Sequence, residues 1–357
     1  MDRLLDRGSD KWTAYPPDVL PAWVAEMDFA LAPPVKAVLV DAIERDDLGY
    51  VGRVEGMLEA FAGFASRRFS WTVDVEQVAL VTDVMVGLRE VVRELTQPDD
   101  QVILNTPAYP PYFRELRRPL VEVPLLEDFA LDIEGIDAAF ARGARAMVLC
   151  NPHNPTGRIS PRSELEALAA VADAHGAWII ADEIHAPLTL GGETFVPWLT
   201  VAPHGVALTS ASKAFNLTAL KLGLAVGEPV ERLSDDLRDH AGYLGVLAAE
   251  AAFRDGDEWL DETLALLRSN HSQLPSLLPE GVCVAVPAQA SFLAWLDCRG
   301  AGLGDDPAAV FLERGRVALY SGLHFGAPGA GFARLNVGTT PELLEEAVSR
   351  VAAALTT

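Results

Sequence analysis

Cysteine is scarce in this chain of 357 residues: only Cys150, Cys283 and Cys298 occur. They are odd in number, widely spaced and contain no Cys-x-x-Cys pair, which points to reduced, structural thiols in a cytoplasmic protein and argues against a catalytic thiol. Positive charge is short as well. Against 51 Asp and Glu stand 28 Lys and Arg, a formal charge of -23. Such an excess favours solubility and speaks against general nucleic-acid or anionic-membrane binding. It leaves an anionic small ligand open, because one local cluster of donors can outweigh a distant surface field. Long apolar runs are missing too. Hydrophobic residues make up 50% of the chain, yet charged residues and proline interrupt every run before it could span a bilayer. The opening Met1-Asp2-Arg3-Leu4-Leu5-Asp6 has no basic start followed by an apolar stretch, so no secretory signal is expected. Fixed-period repeats, heptads and low-complexity tracts are likewise absent.

What is present is alternation. Between about 55 and 230, short apolar runs at 77–82, 101–104, 145–150, 177–181, 205–209 and 222–226 predict strands. Helical segments lie between several of them. The clearest is 161–175, where Pro161 suits a first turn and Leu165, Leu168, Ala169 and Ala172 share one face. This pattern predicts an α/β domain with a largely parallel sheet, whose ligands gather beyond the carboxyl ends of the strands. Length allows two domains. Later segments differ: helices at about 229–250 and 257–277 lead to strands at 281–286, 291–296 and 332–337 and a terminal helix from about 340. A smaller α+β domain is therefore expected over 246–357, after a large domain over 46–245. Residues 1–45, rich in Pro and Trp, read as an arm packing on the small domain or a neighbouring subunit.

Polar groups follow three of the predicted strands. Asn151-Pro152-His153-Asn154-Pro155-Thr156-Gly157 follows the first, Asp182-Glu183-Ile184-His185 the second and Ser210-Ala211-Ser212-Lys213 the third. Two Asn-Pro turns and a Gly fix an irregular backbone from which an Asn side chain can enter a cleft. Each piece alone has a plainer alternative: a turn, an N-cap, a solvated lysine. Their joint order, at equivalent ends of a doubly wound sheet, marks a site. Glu26, Asp28, Asp99-Asp100 and Asp235-Asp236 read as solvated surface or caps, and no paired general acid and base is recognisable among them.

The order Tyr109, Asn-Pro-His-Asn-Pro-Thr-Gly, Asp-Glu-Ile-His, Ser-x-Ser-Lys and Ala-Arg-Leu-Asn (333–336) closely resembles the fold-type-I pyridoxal-phosphate (PLP) enzymes of the aminotransferase class I/II superfamily, over nearly the whole chain. Lys11-Trp12, Leu-Pro-Ala-Trp-Val-Ala-Glu-Met-Asp-Phe (20–29), Ala-Tyr-Pro-Pro-Tyr (108–112) and Ser-Ala-Ser-Lys-Ala-Phe-Asn (210–216) further resemble the MalY/PatB-type cystathionine β-lyases.

The resemblance implies roles. Lys213 would carry PLP as a Schiff base, with room left by Ala211 and Ala214, and would later shuttle the Cα proton. Asp182 would pair with the pyridine nitrogen and keep it protonated. Asn154 and His185 would face the phenolic oxygen. A metal role for His185 lacks a second His at helical spacing. Tyr109 would stack on the ring, unless it is ordinary packing. Phosphate donors would be Ser210, Ser212, the backbone N–H groups of Val84 and Met85, and Tyr50 from a second subunit. Asp83 stands where the pattern has Gly and can cap the following helix instead. Lys221 stands where many aminotransferases have Arg; it is either a phosphate contact without the bidentate fork or a surface lysine. Arg334 would clamp the substrate α-carboxylate. Trp23 would line the side-chain pocket or sit in the core.

The expected activity is β-elimination on cystathionine or related cysteine S-conjugates, giving a thiol, pyruvate and ammonia. Transamination of amino acids is the alternative from the same superfamily. A PLP-fold regulatory protein of low turnover is another, against which Lys213, Asp182 and Arg334 weigh together. A homodimer with shared sites is implied, acting on a small amino-acid substrate without nucleic acid, membrane or metal.

Overall fold

The computed structural model describes Leu4, residues 6–234, Leu237 and residues 240–356. A seven-stranded sheet dominates: β1 (Val78–Val81), β2 (Gln101–Thr106), β3 (Leu120–Pro124), β4 (Ala144–Cys150), β5 (Trp178–Asp182), β6 (Val206–Thr209) and β7 (Gly223–Val226), in the order β1-β7-β6-β5-β4-β2-β3. Strands β2 to β6 run parallel to one another, and β7 pairs antiparallel with both β6 and β1. All six expected strands of this region form. Leu120–Pro124 was not expected; its exposed Glu122 and terminal Pro124 suit a sheet edge, where no second neighbour demands a pure apolar run.

Period-two alternation divides the strand side chains between two cores. Val102, Leu104, Ala146, Val148, Ile180, Val206 and Leu208 face α3 (Val84–Leu95), which supplies Val84, Leu88, Val91 and Val92. Ile103, Met147, Leu149, Ile179 and Ala181 face the opposite way, against α4 (Arg162–His175). Helix α4 presents the expected Leu165, Leu168, Ala169 and Ala172 and stops at Gly176, whose φ of +59° is the left-handed cap that glycine adopts cheaply. Burying each of those leucines contributes about 2 kcal/mol before chain entropy is subtracted.

Helices α1 (Pro33–Glu44) and α2 (Glu55–Phe69), each of twelve residues or more, precede the sheet. Pro33 and Pro34 occupy the first helical turn, where a missing N–H costs nothing, so these two prolines within the expected arm start a helix. Both helices pack on α5 (Tyr243–Asp255). The helix expected over 229–250 is not continuous. Residues Glu228–Arg232 form a 3-10 turn and α5 begins only after Gly242; Asp235 and Asp236 lie outside the described residues.

Helix α6 (Asp257–Leu277) gives Leu260, Leu264 and Leu267 to the core shared with α1, α2 and α5, and Leu274 to a second core. That second core lies under a four-stranded antiparallel sheet of β8 (Cys283–Val284), β9 (Leu293–Asp297), β10 (Tyr320–Ser321) and β11 (Phe332–Asn336), in the order β10-β11-β9-β8. Helix α7 (Pro341–Leu355) covers it. Leu20–Pro21 pairs in parallel with Val317–Ala318 as a separate two-stranded sheet, and Leu20 and Val317 tie the chain start to this second core. Among the described residues no helix is long and apolar enough to cross a membrane.

Candidate active site

Three strands of the large sheet end in register. Cys150 pairs with Asp182, Asp182 with Leu208, and Thr209 with Leu224, so the loops after β4, β5 and β6 leave the sheet at one level. Beyond them lies a cleft of about 180 Å³ lined by Val84, Met85, Tyr109, Asn154, Asp182, His185, Ser212, Lys213 and Lys221, among others. Nine sequence-predicted residues thus share one cavity. A larger groove of about 500 Å³, with Glu55, Glu59, Glu76 and Glu231 in its walls, holds none of them. Among the described residues no group of His, Cys, Asp and Glu is arranged to hold a metal ion.

Asp182 is buried, and one of its oxygens accepts a 2.6 Å hydrogen bond from the Tyr112 hydroxyl while the other accepts from Ile184 N at 3.2 Å. Burial pushes its carboxyl above the ordinary value, and the Tyr112 and Ile184 donors pull it back down. Tyr112 was quoted in the sequence but given no role; its spacing of three from Tyr109, across Pro110-Pro111 at a helix start, is the signal that could have placed it. The two rings meet edge to face at 5.5 Å.

Lys213 follows Ser210, which caps the short helix Ala211–Ala214. Its Nζ donates to the Ala25 carbonyl at 2.9 Å. Burial, then the nearby Arg334 charge, lowers its ammonium from 10.5 to about 8. Ser210 differs from the expected phosphate donor: its hydroxyl donates to Leu222 O at 2.6 Å and accepts from Ser212 N at 3.0 Å. The hydroxyl proton is thereby committed to the protein.

At the start of α3, Asp83 accepts from Val86 N at 2.8 Å and pairs with Lys221 Nζ at 3.1 Å. The capping alternative for Asp83 therefore holds. The Val84 and Met85 N–H groups, in the first turn, have no carbonyl of their own helix to bond. Gly223 allows this helix start to approach β7, since a Cβ there would lie 2.9 Å from Val84 N. Tyr50 stands apart from the cleft residues at 96% exposure.

On the other side, β11 supplies Arg334. Its guanidinium donates to Asn154 Oδ1 at 3.0 Å and to the Trp23 carbonyl at 3.1 Å, and lies over the Tyr320 and Phe325 rings. Its buried Nε has no partner. Trp23 stacks on Tyr320 and meets Tyr15 edge-on, so its ring belongs to an aromatic wall and its carbonyl to the arginine. Asp28 is not solvated as expected: it is buried in an ion pair with Lys11 at 2.8 Å. Asp100 accepts from Gln97 N and so closes the turn before β2 rather than capping a helix.

The donor set has a consistent chemistry. A primary amine, a buried carboxylate with no cation bonded to it, an amide, an imidazole and a helix start surround one cleft, and a guanidinium with an unpartnered N–H stands beside it. A flat ring with a basic nitrogen, a phenolic oxygen and a phosphate meets a complementary group at each position.

Comparison with known proteins agrees. Residues 33–351 match the family Aminotransferase class I and II. A cystathionine beta-lyase of Corynebacterium glutamicum is 35% identical, covering 99% of this chain and 99% of its own length. Cystathionine beta-lyase PatB of Bacillus subtilis (strain 168) is 30% identical, over 95% of this chain and 93% of its own. A Corynebacterium diphtheriae crystal structure, provisionally described as a PLP-dependent beta-cystathionase, superposes with a TM-score of 0.94 at 34% identity, covering 100% of this chain and 98% of that one. With a family match across most of its length and relatives of this identity, the chain belongs to the class I and II aminotransferase family.

Proposed function

We propose that the chain is a PLP-dependent carbon–sulfur β-lyase that cleaves cystathionine or related cysteine S-conjugates to a thiol, pyruvate and ammonia. The observation that carries this reading is the gathering of Lys213, Asp182, Asn154 and His185 around one cleft, in a chain 35% identical to a cystathionine beta-lyase over nearly its full length. When bound, PLP would supply a carbonyl-type electrophile for the substrate amine and a ring able to accept the electrons of a broken Cα bond.

The chain's own residues do the rest. Lys213 would hold the cofactor and would serve as the base for the Cα proton; burial and the Arg334 charge lower its free ammonium to about 8, which favours the free amine. Asp182, kept in place by Tyr112, holds a proton on the ring nitrogen. Asn154 and His185 serve the phenolic oxygen, and Tyr109 covers a ring face. The Val84 and Met85 N–H groups, Ser212, Lys221 and Tyr50 from a second copy hold the phosphate. Arg334 would take the α-carboxylate and so orient the substrate's Cα in the cleft. Trp23 roofs the side-chain pocket beside Tyr15 and Tyr320.

A cytoplasmic homodimer with shared sites completes the reading. The homodimer is supported by the exposure of the large apolar side chains Val40, Ile43, Leu48 and Tyr50 on and just after α1.

Incubating the PLP-loaded protein with cystathionine is expected to release pyruvate with no added keto acid. Amino transfer that requires a keto acid, without pyruvate, would replace the lyase reading by the aminotransferase one. A protein that binds PLP and turns over neither way would favour a regulatory role.

A further inference from the structure

Ser291 is one of the few non-glycine residues with positive φ, at +78°. A strained backbone at a serine persists only where the surroundings hold it, and its neighbours do so on every side. Ser291 N donates to Leu188 O at 2.9 Å. Its carbonyl lies 3.1 Å from His271 Nε2, and a carbonyl can only accept, so His271 carries its proton there. Both preceding residues, Gln289 and Ala290, donate to Gly157 O at 2.9 Å. The effect is to present the Ser291 hydroxyl to His185 Nδ1 at 3.1 Å, with both residues buried.

Which partner donates follows from the groups around His185. Nδ1 is engaged with Ser291, which leaves Nε2 as the nitrogen the ring can offer to the cleft it lines. Burial, with Lys213 and Arg334 nearby, holds the imidazole near a pKa of about 3, so it carries a single proton. An electron-rich phenolic oxygen needs that proton on Nε2. Nδ1 is then bare, and the serine hydroxyl is the donor that it accepts from.

We propose that Ser291 is a positioning residue that fixes the tautomer of His185, so that the imidazole donates from Nε2 to the phenolic oxygen of the cofactor. The inference rests on the PLP reading above. It also ties two halves of the site together. Ser291 stands two residues before β9, and β9 pairs residue for residue with β11, setting Trp295 opposite Arg334. The strand pair that carries the carboxylate clamp thus also delivers the hydroxyl that orients a ligand of the ring.

The test is spectrophotometric pH titration of the lysine-bound cofactor in the holoenzyme. A hydrogen bond donated to the phenolic oxygen favours the form with more negative charge on it, the one whose imine has lost its proton. Removing the bond raises the apparent pKa of the visible band. Ser291→Gly is the informative variant, since glycine accepts φ of +78° and removes the hydroxymethyl group without straining the backbone. It is expected to raise that pKa by about 0.5 unit, and to add nothing further in a His185→Phe background. No shift, or a downward one, in Ser291→Gly while His185→Phe alone shifts the band would overturn the proposal and leave the PLP reading intact. If His185→Phe itself leaves the band unmoved, the role given to His185 fails, and the proposal fails with it. Thermal unfolding of Ser291→Gly at or above the wild-type midpoint separates a tautomer effect from loss of structure.

Discussion

The two sides of the cleft are built by opposite means. On one side, Asp182 ends β5 while Asn154 and Lys213 follow the ends of β4 and β6, so the ladder of a rigid sheet sets their spacing. On the other, the Trp23–Asp28 strap has no secondary structure of its own, and neighbouring groups hold its carbonyls one by one. Asn336 N bonds Ala22 O, Arg334 bonds Trp23 O, Asn336 Nδ2 bonds Val24 O and Glu26 O, and Lys213 bonds Ala25 O. Lys11 adds a bond to Glu26 O, and Asn216 one to Met27 O. A sheet places side chains by repetition; a strap must be held at each step. The lesson is that the cofactor side is set by topology and the substrate side by a network. Two of the donors in that network, Lys213 and Arg334, are themselves the residues proposed to act on cofactor and substrate.

The sharpest way to break this contrast is Arg334→Met. If the strap side exists to grip the substrate carboxylate, kcat/KM for cystathionine falls by about 100-fold or more, since a bidentate charge-assisted pair is lost. The same change must be felt across the cleft. Arg334 is the largest contributor after burial to lowering the Lys213 ammonium, so its removal moves that group upward from about 8. The rate at which the cofactor-free protein takes up PLP rises with pH as the amine loses its proton. In Arg334→Met the inflection of that rise should therefore appear at higher pH than in the wild type. An unmoved inflection would mean that the two cations do not sense one another.

The contrast also explains what could be read from the sequence. Strands β1, β2 and β4 to β7 were legible, because buried strands are short apolar runs bounded by turn residues. The polar residues after them were legible for the same reason: a motif that follows a strand inherits the position of the strand's end. Tyr112 and Ser291 were not, because each acts through another side chain, over sequence separations of 70 and 106 residues, respectively. The hydroxyl of Ser210 was assigned to phosphate, yet its bond to the Leu222 carbonyl depends on how β7 returns beside β6, a fact of topology. Asp28 looked like surface because a carboxylate reads as solvated unless its partner is known, and Lys11 lies 17 positions away.

That ion pair offers the next test. Burial outweighs the attraction of Asp28 and holds the Lys11 ammonium below its ordinary value, so the pair gains less than its 2.8 Å contact suggests. Removing one partner is a different matter. Lys11→Met strands a buried carboxylate and should lower stability by about 3 kcal/mol, read as a lower urea midpoint. Pairing it with Asp28→Leu should restore most of the midpoint. If the strap is held by its network, the double variant stays folded but has a raised KM, because the Lys11 bond to Glu26 O is gone. Unchanged KM in the double variant would show that the remaining donors suffice.

The smallest effect belongs to Lys221, and its size discriminates between two roles. Its side chain is 58% exposed and its ion pair with Asp83 is half in solvent, so as a salt bridge it contributes well under about 1 kcal/mol. Asp83 keeps its cap on Val86 N without the lysine. Stability of Lys221→Ala should therefore match the wild type within error. Cofactor retention should not match. Losing one of several phosphate donors, and a solvated one, should weaken PLP binding by about two- to fivefold, read as the concentration needed to restore the visible band to cofactor-free protein. Raising the salt concentration should shrink that difference, as screening already weakens an exposed charge. A difference that does not respond to salt would place Lys221 among the rigid, sheet-positioned groups after all, and would move it to the better-determined side of the cleft.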